Sequence, residues 1–152
     1  MYLCILLLAV YRGIKYYLDS IEAIEQCRKY NQSECCSLYP KLYCTVGIHP
    51  TRCSEFVSAA ECNQPREDLN DPNDRIIDQL RNIITDGLKD GVVVAIGEIG
   101  LDYDRLEFCP KEQQIIGFRK QMLLAKEFDL PMFLHNRNST VDFIDILRDY
   151  AQ

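Results

Sequence analysis

The sequence predicts an α/β protein built on a mainly parallel sheet. Two patterns in the 152 residues support this: short apolar segments alternate with segments of helical periodicity, and the connections are long enough for crossovers between parallel strands. The length suits one domain that can bury a core without disulfides or metal. Seventeen Lys and Arg against 23 Asp and Glu give a net charge of −6, which excludes a broad basic surface for non-specific nucleic-acid binding.

The first strand is predicted in the apolar run YLCILLLAV, residues 2–10. The run is far shorter than the roughly 20 residues of a membrane-spanning helix, and no Lys or Arg precedes it as in a secretory signal. We therefore expect a buried strand and no attachment to a membrane. A helix is predicted over residues 19–30, where Asp19 and Glu22 have capping-box spacing.

The second strand is predicted at residues 42–47 (LYCTVG), which are rich in β-branched and aromatic side chains. Residues 51–73 suggest a long surface loop with one short helix after Ser54. Asp71 is expected to cap the next helix, with Pro72 at its first position. Six apolar side chains form one stripe at helical period on this helix: Ile76, Ile77, Leu80, Ile83, Ile84 and Leu88.

The remaining segments continue the alternation of strands and helices. Residues 92–96 (VVVAI) predict a strand that ends at Gly97 and Glu98, and Pro110 begins a helix that stops before Pro131. Residues 132–134 (MFL) predict a fourth strand. The last helix is expected after Ser139, which is followed three residues later by an acid, as in a capping box.

Three predicted strands end in a polar residue suited to catalysis, namely His49, Glu98 and His135. The carboxyl ends of parallel strands in α/β barrels share one rim, so these residues are expected to meet in one site. A carboxylate and imidazoles suit a divalent metal. Each residue taken alone has a structural alternative, since a histidine is often satisfied locally and a glutamate after glycine can cap a loop.

Three further polar residues near these strands are weaker candidates. Asp102 and Asp104 lie in the segment GLDYDR, and loop aspartates commonly make Asx-turns. Arg137 lies two residues after His135. Its guanidinium could bind a phosphate as a fork-shaped donor or could pair with an acid, and the sequence leaves both roles open.

The eight cysteines have neither C-x-x-C spacing nor a zinc-finger arrangement with the histidines. We expect reduced, mostly buried thiols in an intracellular protein of the nucleus or cytoplasm. A thiol-based redox or metal-storage role is a further alternative, suggested by the number of cysteines. The adjacent Cys35 and Cys36 lack the spacing that tunes a redox dithiol.

Three motifs resemble the TatD family of metal-dependent deoxyribonucleases, in particular its eukaryotic members. They are TVGIHPTRC (residues 45–53), VAIGEIGLDYDR (residues 94–105) and PMFLHNRNS (residues 131–139), and they occur in the family's order. The resemblance covers residues 18–152, as a partial hydrolase domain made of central βα units. Residues 1–17 align poorly and are interpreted as a divergent or misassigned segment.

The resemblance implies a partial TIM (β/α)8 barrel that hydrolyses DNA phosphodiester bonds with a divalent metal, Mg²⁺, Mn²⁺ or Zn²⁺. It implies that Glu98 and His135 are catalytic metal ligands and that metal-activated water attacks phosphorus. His49 would hold substrate or water beside them, and Arg137 is the candidate phosphate contact. DNA is the expected substrate, and no stable protein partner is inferred.

The sequence departs from the family pattern in ways that leave an alternative open. The family has an amino-terminal histidine pair, a later histidine and a later aspartate, none of which this sequence supplies. A TIM barrel also takes about 250 residues. The alternative is a non-catalytic, truncated fragment that lacks half of the metal site.

Overall fold

A computed structural model describes residues 8–11, 17–34, 41–56 and 74–151. Their strands form one four-stranded sheet in the order β1-β2-β3-β4, and every neighbouring pair is parallel. The elements are β1 (Leu8–Tyr11), α1 (Tyr17–Asn31), β2 (Cys44–Gly47), α2 (Arg75–Leu88), β3 (Val93–Asp102), α3 (Lys111–Phe128), β4 (Met132–Arg137) and α4 (Thr140–Tyr150), with 3₁₀ segments at Pro50–Phe56 and Tyr103–Arg105. The predicted α/β class and parallel sheet are confirmed.

Strand β1 overlaps the end of the apolar run that predicts it and extends one residue past it, to Tyr11. It pairs with β2 from Leu8↔Cys44 to Tyr11↔Gly47, and the earlier part of the run, residues 2–7, lies outside the described residues. None of the helices in the described part of the chain is both long and apolar enough to cross a membrane.

Helix α2 carries the predicted apolar stripe but begins later than expected. Ile76, Leu80, Ile83 and Ile84 are buried, in agreement with the stripe. The prediction that Asp71 is the cap is wrong, because the cap is Asp74, whose carboxylate accepts the backbone N–H groups of Ile76 and Ile77 at 3.1 Å. Residues 71–73 lie outside the described part of the chain.

Strands β3 and β4 are longer than the apolar segments that predict them. Their pairing continues past the apolar residues, through Gly100↔His135 to Asp102↔Arg137, with an irregularity in register between Gly97 and Ile99. Glu98 and His135 therefore lie within strands, where the sequence pattern had predicted strand ends. Polar residues continue these strands because the ladder uses backbone groups whatever the side chain.

Gly100 permits the close approach of these two strands. Its φ of +144° is a conformation that side-chain-bearing residues rarely adopt, and a Cβ at this position would lie 1.9 Å from the carbonyl oxygen of His135. The second glycine of the GEIG segment is therefore required by the contact with the strand that carries His135.

Helix α3 and helix α4 cover the sheet next to β3 and β4. Phe118 and Phe143 stack with ring centroids 5.3 Å apart and join the two helices. The predicted capping box at Ser139 does not form, because the Ser139 hydroxyl donates to Asn136 Oδ1 at 2.7 Å and lies 3.3 Å from the Leu101 carbonyl. Ser139 therefore links α4 to the ends of β3 and β4.

The cysteines of the described residues match the expected state. Cys27, Cys44, Cys53 and Cys109 are free and buried. Burial raises the pKa of the Cys44 thiol to about 12, so this thiol is not a thiolate at neutral pH. Cys35 and Cys36 lie outside the described residues, as do residues 57–73 of the predicted surface loop. The described start of that loop belongs to a 3₁₀ segment, Pro50–Phe56, and most of the region after Ser54, where a short helix is predicted, lies outside the described residues.

Candidate metal centre

His49, Glu98 and His135 meet at one place near the ends of the central strands. His49 follows β2 by two residues, Glu98 lies in β3 and His135 lies in β4. One ligand atom from each side chain lies within 4.8 Å of those of the other two. The convergence predicted from the sequence is therefore present in the fold.

Glu98 and His135 form the close pair of this cluster. The Nδ1 atom of His135 lies 2.8 Å from Oε1 of Glu98, across the β3–β4 pair. Both side chains are largely buried, with exposed fractions of 20% for His135 and 16% for Glu98. A carboxylate oxygen and an imidazole nitrogen thus face the same small space, at an edge that solvent can still reach.

His49 packs against this pair edge to face. Its ring centroid lies 4.7 Å from that of His135, at an angle of 72° between the rings. The side chain is 1% exposed, and burial, followed by the nearby His135, lowers the pKa of His49 to about 4. His49 is therefore a neutral imidazole at pH 7.

Thr51 sets the tautomer of His49. The backbone N–H of Thr51 donates to His49 Nδ1 at 3.3 Å, and the Thr51 hydroxyl lies 2.8 Å from the same nitrogen. A neutral ring whose Nδ1 accepts a hydrogen bond carries its proton on Nε2. The network thus assigns His49 the role of a hydrogen-bond donor through Nε2, whereas metal ligation would need the lone pair on that atom.

Asp102 is the fourth polar side chain at this site, although the sequence pattern made it only a weak candidate. It is the last residue of β3 and is 0% exposed. One carboxylate oxygen, Oδ2, lies 3.3 Å from His135 Nε2. The expected Asx-turn is absent, since the Asp102 side chain makes no capping hydrogen bond to the 3₁₀ segment that follows it.

Two buried glutamines of α3 hold the backbone on which the site is built. Gln121 accepts the Ile48 N–H at 2.5 Å and donates to the Ile48 carbonyl at 3.0 Å, immediately before His49. Gln114 does the same for Asp102, at 2.7 and 3.0 Å. Sequence reasoning missed both residues. The available signal was two glutamines seven residues apart on the apolar face of a helix, which places them on the same side.

Arg137 lies apart from the close cluster. Its Nε donates to Asp104 Oδ2 at 2.8 Å, and the side chain is 48% exposed. Asn138 donates to the other oxygen of Asp104 at 3.1 Å. Of the two roles that the sequence leaves open for Arg137, the structure displays the pairing with an acid.

The donor set fits a divalent cation. Glu98 supplies a carboxylate oxygen and His135 an imidazole nitrogen, which is the mixed set that Zn²⁺ and Mn²⁺ accept. The second carboxylate, that of Asp102, is buried beside them, and within the described residues no donor makes a hydrogen bond to either of its oxygens. Buried negative charge without hydrogen-bond donors is compatible with a nearby cation.

Comparisons with known proteins give a consistent family. A sequence profile described as "TatD related DNase" matches residues 14–152. The "Deoxyribonuclease Tat-D" of Schizosaccharomyces pombe is 37% identical over 123 residues, which cover 79% of this chain and 36% of that protein. The "3'-5' ssDNA/RNA exonuclease TatD" of Erwinia amylovora is 36% identical over 110 residues, 71% of this chain and 34% of that protein.

A solved structure agrees with the sequence relatives. The hydrolase TatD family protein from Entamoeba histolytica superposes with a TM-score of 0.68 at 29% identity. The match covers 97% of this chain and 40% of that chain. This chain thus spans about a third of the length of these curated relatives and two fifths of the solved structure.

Proposed function

Since this chain belongs to the TatD related DNase family, we propose that it is a metal-dependent nuclease that hydrolyses phosphodiester bonds of DNA. The fold is that of a TIM-barrel-type hydrolase, of which the described residues form the part around four parallel strands. The observation that carries the proposal is the 2.8 Å contact between Glu98 and His135, with His49 against it.

We assign a role to each side chain of the cluster. Glu98 and His135 would hold the divalent ion, Mg²⁺, Mn²⁺ or Zn²⁺, and are the proposed catalytic ligands. When bound, such an ion activates water as a nucleophile and offsets the charge that develops on the phosphate oxygens. The protein has a net charge of −6, and the positive charge of the metal ion would attract an anionic substrate to the site.

His49 would contact the substrate through its Nε2–H. A neutral imidazole whose Nδ1 accepts from Thr51 can donate its Nε2–H to a phosphate oxygen or a water at neutral pH. Arg137 is the second proposed substrate contact. It would bind a phosphate by exchanging its Asp104 partner for the substrate, which its exposure at the end of β4 permits.

The names of the relatives support a nucleic-acid substrate. The relative from Schizosaccharomyces pombe is named a deoxyribonuclease, and the one from Erwinia amylovora a 3'-5' ssDNA/RNA exonuclease. We propose DNA as the substrate of this chain. An intracellular location, in the nucleus or the cytoplasm, stays a prediction from the cysteine pattern.

The test is cleavage of end-labelled DNA, single- and double-stranded, by the purified chain with Mg²⁺, Mn²⁺ or Zn²⁺. We expect turnover that EDTA abolishes and that the double variant Glu98→Ala, His135→Ala loses. Asp145→Ala, an exposed substitution on α4, is the matched control and should leave turnover unchanged. Turnover that survives the double substitution would remove Glu98 and His135 from the reaction.

The second candidate is a non-catalytic chain that keeps the family fold but lacks half of the metal site. Within the described residues, β1 and β4 are edge strands, and only Glu98 and His135 are proposed as ligands. Unpaired strand edges favour association with another chain.

Light scattering coupled to size-exclusion chromatography separates this candidate from the nuclease. A non-catalytic chain with unpaired edges would elute as oligomers or aggregates and show no turnover with any of the three metals. A monodisperse monomer that melts cooperatively and cleaves DNA would exclude it.

A further inference from the structure

Asp102 is a buried carboxylate beside the proposed metal site. Its side chain is fully buried, and both carboxylate oxygens lack hydrogen bonds from the described residues. Two nitrogens lie within ion-pairing distance of Oδ2: His135 Nε2 at 3.3 Å and Arg105 Nε at 3.8 Å. The histidine nitrogen is the nearer, and it too has no hydrogen bond from the described part of the chain.

The backbone of Asp102 is fixed on two sides, so this placement is built into the fold. The side-chain amide of Gln114 accepts a hydrogen bond from the Asp102 N–H and donates one to the Asp102 carbonyl. Pairing of β3 with β4 sets Asp102 opposite Arg137 and Gly100 opposite His135. The side chain therefore faces the His135 ring from the neighbouring strand, at a distance that a shift of a few tenths of an ångström closes to a hydrogen bond.

The two nitrogens of the His135 ring face two different carboxylates. Nδ1 faces Glu98 at 2.8 Å, and Nε2 faces Asp102 at 3.3 Å. A metal held together with Glu98 needs the lone pair on Nδ1, and a neutral imidazole has only one N–H. That N–H must then lie on Nε2, where the Asp102 carboxylate can accept it.

We propose that Asp102 is a positioning residue that accepts the Nε2–H of His135 and so presents Nδ1 as a metal ligand. The inference rests on the proposed metal site at Glu98 and His135. A carboxylate behind a metal-binding histidine fixes both the tautomer and the ring orientation and raises the basicity of the ligand. Asp102 acts through His135 and does not touch the ion or the substrate.

The chain is well suited to a direct test by NMR because it contains only two histidines, His49 and His135. In protein labelled with ¹⁵N-histidine, two-bond ¹H–¹⁵N correlations distinguish a protonated ring nitrogen from a metal-bound one. His49→Gln assigns the two rings. With Zn²⁺ bound, we expect a protonated Nε2 and a zinc-bound Nδ1 for His135.

Asp102→Asn keeps the volume of the side chain and removes its charge. We expect this variant to bind Zn²⁺ about 10–100-fold more weakly by competitive titration, the usual cost of losing such a partner. The fixed Nε2–H signal of His135 should also be lost, and Asp102→Ala should show the same changes. Asp74→Asn is the matched control, because Asp74 is a buried carboxylate paired with Lys120 away from the site.

The outcomes separate this inference from the proposed function. A folded Asp102→Asn variant with wild-type zinc affinity and an unchanged His135 spectrum would overturn the role of Asp102 and leave the metal site intact. In the zinc-loaded Asp102→Ala variant, an X-ray absorption spectrum that shows one oxygen ligand fewer than wild type, with the His135 tautomer unchanged, would overturn the positioning role and make Asp102 a metal ligand. Failure of the wild-type chain to bind Zn²⁺, Mn²⁺ and Mg²⁺ alike would overturn both proposals.

Discussion

At the scale of single residues, the two histidines differ in the direction of their hydrogen bonds. His49 accepts at Nδ1 from the backbone of Thr51, whereas the Nδ1 of His135 faces a carboxylate. The same side chain is thus placed as a donor in one case and as a ligand in the other. The distinction depends on the local backbone, because the 3₁₀ segment after β2 directs the Thr51 N–H at the ring.

Replacing each histidine by phenylalanine should separate the two roles. His49→Phe removes the Nε2–H, so we expect zinc affinity within about threefold of wild type and a turnover of DNA that is lower by roughly 10²–10³-fold. His135→Phe should lose both. Competitive zinc titration and the cleavage assay measure the two effects, and a loss of zinc affinity in His49→Phe equal to that in His135→Phe would make His49 a ligand.

The glycine opposite His135 should be nearly intolerant of a side chain. In Gly100→Ala the new Cβ meets the His135 carbonyl, and the backbone must hold a positive φ, so we expect a loss of about 3 kcal/mol or more in the free energy of unfolding. Gly91→Ala is the control. It also has positive φ but has open space around the new Cβ, and should cost about 1 kcal/mol. Urea titration measures both, and equal losses would show that crowding is not the cause.

At the scale of elements, α3 holds the site more than any other helix. Its two buried glutamines use both the N–H and the C=O of the side-chain amide to bind one residue of β2's end and one of β3's end. Buried peptide groups at the end of a strand need hydrogen-bond partners beyond those that the neighbouring strands supply. The amide side chain is the one polar group that offers a donor and an acceptor in the geometry of a peptide.

Gln121→Leu should therefore destabilise the protein although leucine suits an apolar helix face. The buried Ile48 N–H and C=O lose their partner, which costs about 2–4 kcal/mol. Gln113→Leu, on a partly exposed position of the same helix, should change the free energy of unfolding by less than about 0.5 kcal/mol. Thermal and urea unfolding check the pair, and a neutral Gln121→Leu would show that the Ile48 peptide is satisfied otherwise.

The first turn of α4 should contribute stability that depends on pH. Lys111 at 2.6 Å and then the Tyr103 hydroxyl at 2.5 Å hold the pKa of Asp142 below its usual range. A carboxylate with a lowered pKa in the folded state stabilises above its unfolded pKa, and the contribution disappears as pH falls through the folded pKa. Asp142→Asn should thus lower the unfolding free energy at pH 7, by under about 1 kcal/mol, and have no effect near pH 2. A difference that is independent of pH would contradict this origin.

At the scale of the whole molecule, the order of elements and the meeting of three side chains follow from the sequence. The apolar stripe from Ile76 to Ile84 and the continuous apolar strands indicate which surfaces are buried. Parallel strands in one sheet then bring their carboxyl ends together. The membership in the nuclease family follows from the motifs around His49, Glu98 and His135. These features depend on short-range periodicity, which a single sequence displays.

The rest depends on contacts between residues far apart in the chain. The extent of β3 is set by its pairing with β4, so the apolar run alone placed its end too early. The cap of α2 is Asp74 and not Asp71, because the Asp74 carboxylate accepts the first free N–H groups of the helix, a contact that the acids near the start of the helix do not reveal by sequence alone. Asp102 resembled a loop aspartate until the fold put His135 beside it, 33 residues further along the chain.

The hydrogen bonds of the two buried glutamines allow α3 to fix the distance between two parts of the site. Gln114 and Gln121 are seven residues apart, about 10.5 Å along a helix, and each carries one strand end. The helix, and not the loops that connect the strands, thus sets the distance between the backbone before His49 and the backbone of Asp102. Changes of loop length between Tyr103 and Pro110 should leave that distance unaltered. One residue inserted between the glutamines would turn one of them by about 100° around the helix, and the strand end that it holds would lose its hydrogen bonds.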